Sequence, residues 1–379
     1  MENQVPQGFE ECFSTLKDPR INRKKLYPLV EIIFIAICGS ICGVESWRDY
    51  VLFGEEKIDF LRKYFAFKNG IPSKNTFARV FAALSPESFK LCFIEWVKRF
   101  QVVLNEVIAI DGKTLCGSLD RASGGSAIHM VSAFATGMRL VLAQQKVEDK
   151  SNEITAIPKL LDLLDLKGNI VTIDAMGCQT AIAKKIIDQG GHYVLALKGN
   201  QGTLSEDVKL FLETEISKKE SSVITDQSIE VDCGHGRIET RKCWVTDQIE
   251  WLPQKSKWVG LQTIIMIEET QEIRGKVSRE NRFFISSLPP NAEKIASAVR
   301  AHWLVENALH WTLDVVFGED LSRVRKDHAS ENMALVRHIA LNMLNSAKPS
   351  FKKDIGIKAL RKKAAWGNTT LEFILRQNF

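Results

Sequence analysis

Two aspartates each follow a short apolar segment of the chain. Residues 107–110 (VIAI) precede Asp111, and residues 170–173 (IVTI) precede Asp174. A continuous apolar run of this kind predicts a strand buried on both faces of an α/β sheet. Ligand sites in such sheets lie beyond the carboxyl ends of the strands, so parallel neighbouring strands would bring the two aspartates together. Clustered carboxylates repel each other unless a proton or cation lies between them, and the pattern therefore indicates a divalent cation site.

A third carboxylate, Glu306, lies in a segment with helical periodicity. On a 3.6-residue period one stripe is mostly apolar and should face the sheet, and it consists of Ile295, Val299, His302, Glu306, Leu309 and Leu313. Taken alone, a glutamate at such a position more often forms a structural ion pair than a metal site, and here the partner would be Arg300 or a histidine. Together with the two aspartates, it completes a set of three carboxylates. His302 and His310, one turn to either side, could reach a phosphate, a leaving oxygen or Glu306 itself.

Three carboxylates on one sheet fit two divalent ions about 3.5–4 Å apart that hold an in-line phosphoryl displacement. Mg²⁺ suits these hard oxygen ligands, with Mn²⁺ as a second choice. Glu319 and Asp320, just after the helix, could orient the ligands or cap the next segment.

Basic residues are concentrated in the last sixty residues of a chain of 379 residues with net charge +5. They are Arg323, Arg325, Lys326, Arg337, His338, Lys348, Lys352, Lys353, Lys358, Arg361, Lys362 and Lys363. Such clustering is the footprint expected for nucleic acid, or else a solvated helix face. The eight cysteines form no CxxC and no secretory signal is visible, so we expect reduced thiols in the cytoplasm. The apolar segment 29–44 is too short for a membrane span and predicts a buried helix.

The elements that must position the carboxylates follow a βββαβαβ order. We expect helices over residues 1–100, with Ser73 as an N-cap, and strands at 107–111, 128–135, 140–147, 170–174 and 192–197. Helices cover 154–166 and 178–189. Residues 222–288 are β-rich and interrupt this order. A helix capped by Asn291 then runs to about Val316.

This order and the placement of the carboxylates resemble the ribonuclease H-like core of DDE transposases. More specifically, several motifs resemble the ISAs-type transposases and H-repeat-associated proteins. They are AIDGK (109–113), DAMGCQ (174–179), LKGNQ (197–201), GHGRIETR (234–241), HWLVEN (302–307) and PSKNTF (72–77). The resemblance covers nearly the whole chain and implies that Asp111, Asp174 and Glu306 are the catalytic residues and metal ligands.

The motif around the glutamate departs from related insertion-sequence transposases. Those enzymes often carry a tyrosine and an arginine before the glutamate and a lysine after it, where this chain has Val299, His302 and Leu313. We therefore interpret other residues as candidate DNA contacts: Lys113, Lys198, His235, Arg237, Arg241, Arg300, His302, His310, Arg323 and Arg325. Lys113 and Lys198 could equally be solvated loop lysines, and Arg237 and Arg241 could form ion pairs with Glu239.

The sequence predicts an α/β protein with a ribonuclease H-like core, a β-rich insertion and a preceding helical domain. The expected domains are 1–104 (helical, either a DNA-end-binding or a packing domain), 105–205 and 290–345 (catalytic core), 206–289 (insertion) and 346–379 (basic tail). The predicted function is metal-dependent cleavage of the terminal inverted repeats of a mobile element and joining to target DNA, by a homodimer in a synaptic complex. The protein would be nucleoid-associated when bound to DNA, with no membrane partner. A silent DNA-binding relic and a nuclease without strand transfer are the alternatives.

Overall fold

The computed structural model describes residues 7–22, 25–100, 106–119, 126–148, 151–218, 221–234, 236–351 and 355–378. The chain divides into two compact units. Unit 1 comprises Met1–Val102, Gly112–Asp149 and Glu306–Phe379, and unit 2 comprises Val103–Asp111 and Lys150–Val305. The strand β1 (Val107–Leu115) contributes its first five residues to unit 2 and the rest to unit 1.

Unit 2 is built on a mixed sheet with strand order β1-β4-β5-β9-β8-β7-β6. Its strands after β1 are β4 (Ile170–Ile173), β5 (His192–Leu197), β6 (Asp226–Gly234), β7 (Arg237–Thr246), β8 (Thr263–Ile273) and β9 (Lys276–Ser286). The strands β1, β4 and β5 are parallel, as expected for strands joined by crossover helices. These helices are α7 (Glu153–Leu161) and α8 (Thr180–Asp188).

The β-rich insertion continues the core sheet. Strand β9 pairs antiparallel with β5, with Leu195 opposite Ile285, and β8, β7 and β6 follow as an antiparallel meander. The sequence analysis predicted that residues 222–288 are β-rich, which is confirmed, but it missed the helix α9 (Thr203–Ser217) that precedes them. A shared apolar core that includes Val194, Ile265 and Ile295 packs the meander and helix α10 (Ala292–His302) against the parallel strands.

Unit 1 is mainly helical. Its helices are α1 (Gln7–Phe13), α2 (Leu29–Ile41), α3 (Trp47–Glu56), α4 (Ile58–Leu61), α5 (Lys74–Ala83), α6 (Pro86–Val97), α11 (Ala329–Ala347), α12 (Ile357–Trp366) and α13 (Asn368–Asn378). It also holds the hairpin β2 (Ile128–Ala135) and β3 (Leu140–Lys146), as predicted. Ser73 occupies the N-cap position of α5, although its side chain donates and accepts no capping hydrogen bond there.

The apolar segment after Pro28 forms the buried helix that the sequence predicted. All but one of the thirteen residues of α2 are buried. Each fully buried isoleucine or phenylalanine contributes about 1.5–3 kcal/mol, so this helix is a major part of the core of unit 1. Among the described residues, no helix combines the length and the apolar character that crossing a membrane requires.

The long helix α11 lies in the centre of unit 1. The Asn342 side chain donates to the carbonyl oxygen of Val141 and accepts from its backbone N–H, both at 2.8 Å. The amide of Asn332 donates to the carbonyl oxygens of Phe81 and Leu84. Buried polar groups need such partners, and these two asparagines therefore fix α11 against β3 and against the end of α5.

Candidate active site

The two aspartates follow paired positions on neighbouring parallel strands. Ile110 of β1 lies opposite Ile173 of β4 in parallel register, and Asp111 and Asp174 directly follow these two residues in the chain. The prediction that the two apolar segments form adjacent parallel strands is confirmed. Both aspartates are partly buried. Unit 2 therefore places two carboxylates side by side at the carboxyl edge of its parallel strands.

Strand β1 is longer than predicted. It continues through Asp111 to Leu115, whereas β4 ends at Ile173, one residue before the predicted end. Gly112 and Lys113 interrupt the apolar run, and sequence periodicity therefore gave a strand end where the backbone in fact remains extended. Asp111 lies within a strand, while Asp174 begins the loop after one.

The loop after Asp174 holds its carboxylate in place. Oδ1 of Asp174 accepts hydrogen bonds from the backbone N–H groups of Met176 and Gly177, at 3.1 and 3.2 Å. A side chain at Gly177 would bring its Cβ to 2.3 Å from Cγ2 of Ile173, so only glycine allows this close turn.

Two further side chains brace this loop, and the sequence analysis assigned them no role. The amide of Asn200 donates to the carbonyl oxygen of Ala175, and the amide of Gln201 donates to that of Cys178, both at 2.6 Å. Both residues belong to the LKGNQ motif, and this motif is the sequence feature from which their role could have been inferred.

Glu306 lies on a helix of altered geometry. After α10 the chain forms π-helical segments at Val305–His310 and Thr312–Val316. The prediction that Glu306 sits on a buried stripe is wrong, because its side chain is 55% exposed. Each π-type turn contains an extra residue, which rotates the following side chains away from a 3.6-residue pattern. Buried Val305 instead takes the inward position next to it.

His310 is the ionisable group beside Glu306 in unit 1. Its Nδ1 lies 3.7 Å from Oε2 of Glu306, and its side chain is only 8% exposed. An imidazole nitrogen and a carboxylate oxygen at this separation can both face one cation. His310 is therefore placed to contact the carboxylate or its ligand rather than a DNA phosphate in solvent.

His302 lies in unit 2 beside the strand that leads to Asp174. Its Nδ1 is 3.0 Å from Oγ1 of Thr172. Burial lowers the pKa of His302, although the charge of Asp174 and the contact with Thr172 oppose this shift. A neutral ring can donate one hydrogen bond and accept another.

Lys113 is not open to solvent. Its Nζ lies 2.7 Å from Oδ1 of Asp314, 3.3 Å from Oε2 of Glu319 and 3.2 Å from Oδ1 of Asp320, and its side chain is 10% exposed. Burial opposes its charge, but these three carboxylates raise the pKa of Lys113 overall. This environment does not favour the phosphate contact that the sequence suggested.

The insertion arginines are paired with acidic residues. Arg237, Glu239 and Arg241 share one face of β7, where Nε of Arg237 lies 2.7 Å from Oε1 of Glu239 and Arg241 contacts its other oxygen. The ion-pair alternative is therefore realised in the structure. Arg300 likewise pairs with Glu230 and with Asp232, the latter at 2.9 Å. His235 lies outside the described residues.

The remaining candidates are all exposed: they are Lys198, directly after β5, Arg323 and Arg325. Arg325 donates from Nε to the carbonyl oxygen of Gly117 at 2.9 Å, which ties it to the end of β1.

Comparisons with known proteins agree with this arrangement. The family model described as "Transposase DDE domain" matches residues 104–343, and one described as "DDE_Tnp_1-associated" matches residues 10–97. The chain is 41% identical over 377 residues to "Putative transposase YncI" of Escherichia coli O157:H7, which covers 97% of this chain and 94% of that protein. It is 42% identical over 373 residues to "H repeat-associated putative transposase YhhI" of Escherichia coli K12, covering 96% of this chain and 97% of that protein.

These matches cover both the helical N-terminal residues and the sheet that carries the aspartates. They account for the mixed α/β fold, which is the ribonuclease H-like fold of this family, and for a metal-dependent enzyme that cuts and joins DNA. The chain belongs to the DDE transposase family.

Proposed function

We propose that this protein cleaves the phosphodiester bonds at the ends of an insertion element and joins the freed 3′-hydroxyls to target DNA. Asp111, Asp174 and Glu306 are the catalytic carboxylates in this proposal. The observation that carries it is the parallel register of β1 and β4, since it sets Asp111 and Asp174 at equivalent positions of adjacent strands. The family match supports the reaction class.

The donor atoms fit a hard divalent cation. The three proposed ligands are carboxylates, the ligand type that Mg²⁺ and Mn²⁺ prefer, and His310 beside Glu306 adds a nitrogen that Mn²⁺ also accepts. When bound, two such ions would lower the pKa of the attacking water and neutralise charge at the leaving 3′-oxygen. The chain itself orients the Asp174 carboxylate through the N–H groups of Met176 and Gly177, which reduces the reorganisation needed at the moment of reaction.

DNA is held by other parts of the chain in this proposal. Lys198 and Arg323 are exposed cations and Arg237 is half-exposed, and the three are therefore our candidates for phosphate contacts. Transposition requires both element ends at once, so we propose a homodimer in a synaptic complex, acting in the bacterial cytoplasm and on the nucleoid when bound to DNA.

A strand-cleavage assay tests the function. Labelled DNA that carries the element's own ends is incubated with the protein in Mg²⁺, in Mn²⁺ and in EDTA, with and without unlabelled target plasmid. We expect nicking at the repeat boundary and joined products in both metals, and neither in EDTA. Specific binding without cleavage in either metal would instead identify a DNA-binding relic. Cleavage without joining, or without regard to sequence, would identify a nuclease.

A further inference from the structure

Lys113 and its partners form a partly buried ionic cluster in unit 1 that the proposed chemistry does not use, in which the side chains of Asp314 and Asp320 are 31% and 37% exposed. Besides the three carboxylates around Lys113, the cluster contains Arg337 of α11, whose Nη1 lies 3.3 Å from Oε1 of Glu319. The Glu319 side chain is 2% exposed and that of Arg337 is 9% exposed. Buried charges such as those of Glu319, Lys113 and Arg337 are stable only when they are paired, so these three side chains restrain one another.

The backbone around the cluster is equally constrained. The N–H of Cys116 donates to Oδ1 of Asp320 at 3.3 Å, the same oxygen that contacts Lys113. A Cβ at Gly117 would lie 2.2 Å from the carbonyl oxygen of Ser322, so the end of β1 and the turn 319–322 are in direct backbone contact. The end of β1 is therefore held against the turn that carries Glu319 and Asp320.

The cluster joins the two elements that carry proposed catalytic residues. Lys113 is two residues after Asp111 on β1, and alternate residues of a strand point to the same face. Asp314 lies in the second π-helical segment, eight residues after Glu306. The contact of 2.7 Å between Lys113 and Asp314 thus holds the Glu306 helix from the strand side.

We infer that Lys113 is a positioning residue for DNA cleavage, which through its ion pair with Asp314 fixes the rotation of the helix that carries Glu306. This inference rests on the proposed function of Glu306. Catalytic groups must be held within about 0.5 Å of their productive position, and a misplacement of about 1 Å can cost about 100-fold in rate. A π-helical segment that leaves Glu306 half-exposed needs such an external restraint.

The competing role for Lys113 is a direct phosphate contact. The two roles predict different behaviour for Asp314. A positioning pair needs both partners, so Asp314→Asn impairs cleavage as Lys113→Met does. A phosphate-binding lysine would be unaffected, or released to bind DNA more tightly, when its acidic neighbour is neutralised.

The test compares Lys113→Met, Lys113→Arg, Asp314→Asn and the exposed-surface control Lys209→Met with the unaltered protein. Four quantities are measured: kcat and KM for cleavage of element ends in Mg²⁺, the Kd for the same DNA at several salt concentrations in EDTA, and the Tm. We expect Lys113→Met and Asp314→Asn to lower kcat by about 10- to 100-fold, with KM and Kd within about 2-fold. Lys113→Arg recovers part of kcat because it keeps the charge, and Lys209→Met behaves as the unaltered protein.

Two results would overturn the inference while leaving the proposed function intact. One is a weaker Kd with a salt slope reduced by about one for Lys113→Met, together with normal cleavage by Asp314→Asn, which identifies a phosphate contact. The other is normal kcat in both variants while Glu306→Gln is inactive. If Glu306→Gln itself cleaves normally, the proposed function fails and the inference fails with it. Should Lys113→Met not fold, Asp314→Asn, which keeps the shape of the side chain, carries the test.

Discussion

Oγ1 of Thr172 lies 3.0 Å from Nδ1 of His302, which joins the strand that leads to Asp174 to the end of helix α10. Thr172 is 2% exposed, and burial lowers the pKa of His302, so the pair is a neutral hydrogen bond near pH 7. This contact restrains the plane of the imidazole ring beside the strand that leads to Asp174.

Replacing Thr172 by Val removes this hydrogen bond while keeping the shape of the side chain. We expect single-turnover cleavage of element ends to slow by about 3- to 10-fold, the equivalent of a typical hydrogen bond. Thr263→Val is the matched control, because Thr263 is also buried in unit 2 and donates to the carbonyl oxygen of Leu288. It should lower Tm without slowing cleavage. A Thr172→Val protein that cleaves at the normal rate would show that the ring needs no such restraint.

Arg361 of α12 is predicted to be a stability residue rather than part of a DNA-binding tail. It is 5% exposed, donates to the carbonyl oxygens of Ser40 and Val316, and stacks 3.9 Å above the ring of Phe317. Burial lowers the pKa of Arg361 to about 10, so it remains charged at neutral pH. Ser40 and Val316 lie at the carboxyl ends of α2 and of the second π-helical segment, where cations are favoured.

Arg361→Met should therefore lower the free energy of unfolding by about 2–4 kcal/mol, because buried carbonyl groups lose their donor. Urea denaturation measures this change, and Lys362→Met, at the exposed neighbouring position, should leave it unaltered. Normal stability combined with a weaker salt dependence of DNA binding would support the DNA-binding interpretation of the tail instead.

Substitutions of Arg237 and of Arg241 should affect DNA binding differently, although both side chains pair with Glu239. The side chain of Arg237 is 49% exposed and that of Arg241 is 22% exposed. Burial opposes the charge of Glu239, but a hydrogen bond from Gln271 and the two arginines lower its pKa overall. We expect Arg237→Gln to reduce the salt slope of DNA binding by about one, as for one lost phosphate contact.

Arg241→Gln should leave that slope unchanged and reduce the free energy of unfolding by about 0–1 kcal/mol, the range for a partly exposed ion pair. Titrating fluorescent DNA at several salt concentrations separates the two variants. Equal slopes for both variants and the unaltered protein would exclude this face of β7 as a DNA contact.

The sequence predicted the parts of the site that depend on strands. Asp111 and Asp174 could be placed because an apolar strand buried on both faces leaves an unmistakable pattern, and the parallel register then follows from the helical crossovers between the strands. Asn291 is likewise the N-cap of α10, with its side chain accepting from the N–H of Lys294.

The surroundings of Glu306 could not be predicted in the same way. The π-helical segments change the helical repeat, and the local hydrophobic periodicity of the sequence does not predict them. Whether a basic residue is paired or free to contact DNA depends on which acidic groups the fold brings near it, as the ion pairs of Lys113 and Arg300 show. Contacts between residues about 200 positions apart leave no signal in a single sequence.

The lowered pKa of His338 predicts how the stability of the protein depends on pH. Burial, together with the nearby charges of Lys113 and Arg337, lowers the pKa of His338 to about 3. The unfolded state, with a pKa of about 6.5, binds this proton more readily, so stability is fully present above pH 6.5 and falls as the pH decreases toward 3.

When the pH is lowered from 7 to 5, protonation of this histidine in the unfolded state should reduce the free energy of unfolding by about 2 kcal/mol. Urea denaturation at both pH values measures the loss, and His338→Gln should reduce it. A loss of the same size in the variant would assign the pH dependence to other groups.

The most direct test of the central claim is the rate of end cleavage by Asp111→Asn, Asp174→Asn and Glu306→Gln, each measured beside its DNA affinity in EDTA. The account predicts that all three lose cleavage by at least about 100- to 1000-fold while binding the element ends normally. Glu293→Gln, at an exposed position in the first turn of α10, should cleave at the normal rate. Normal cleavage and joining by any one of the three variants would contradict the catalytic assignment.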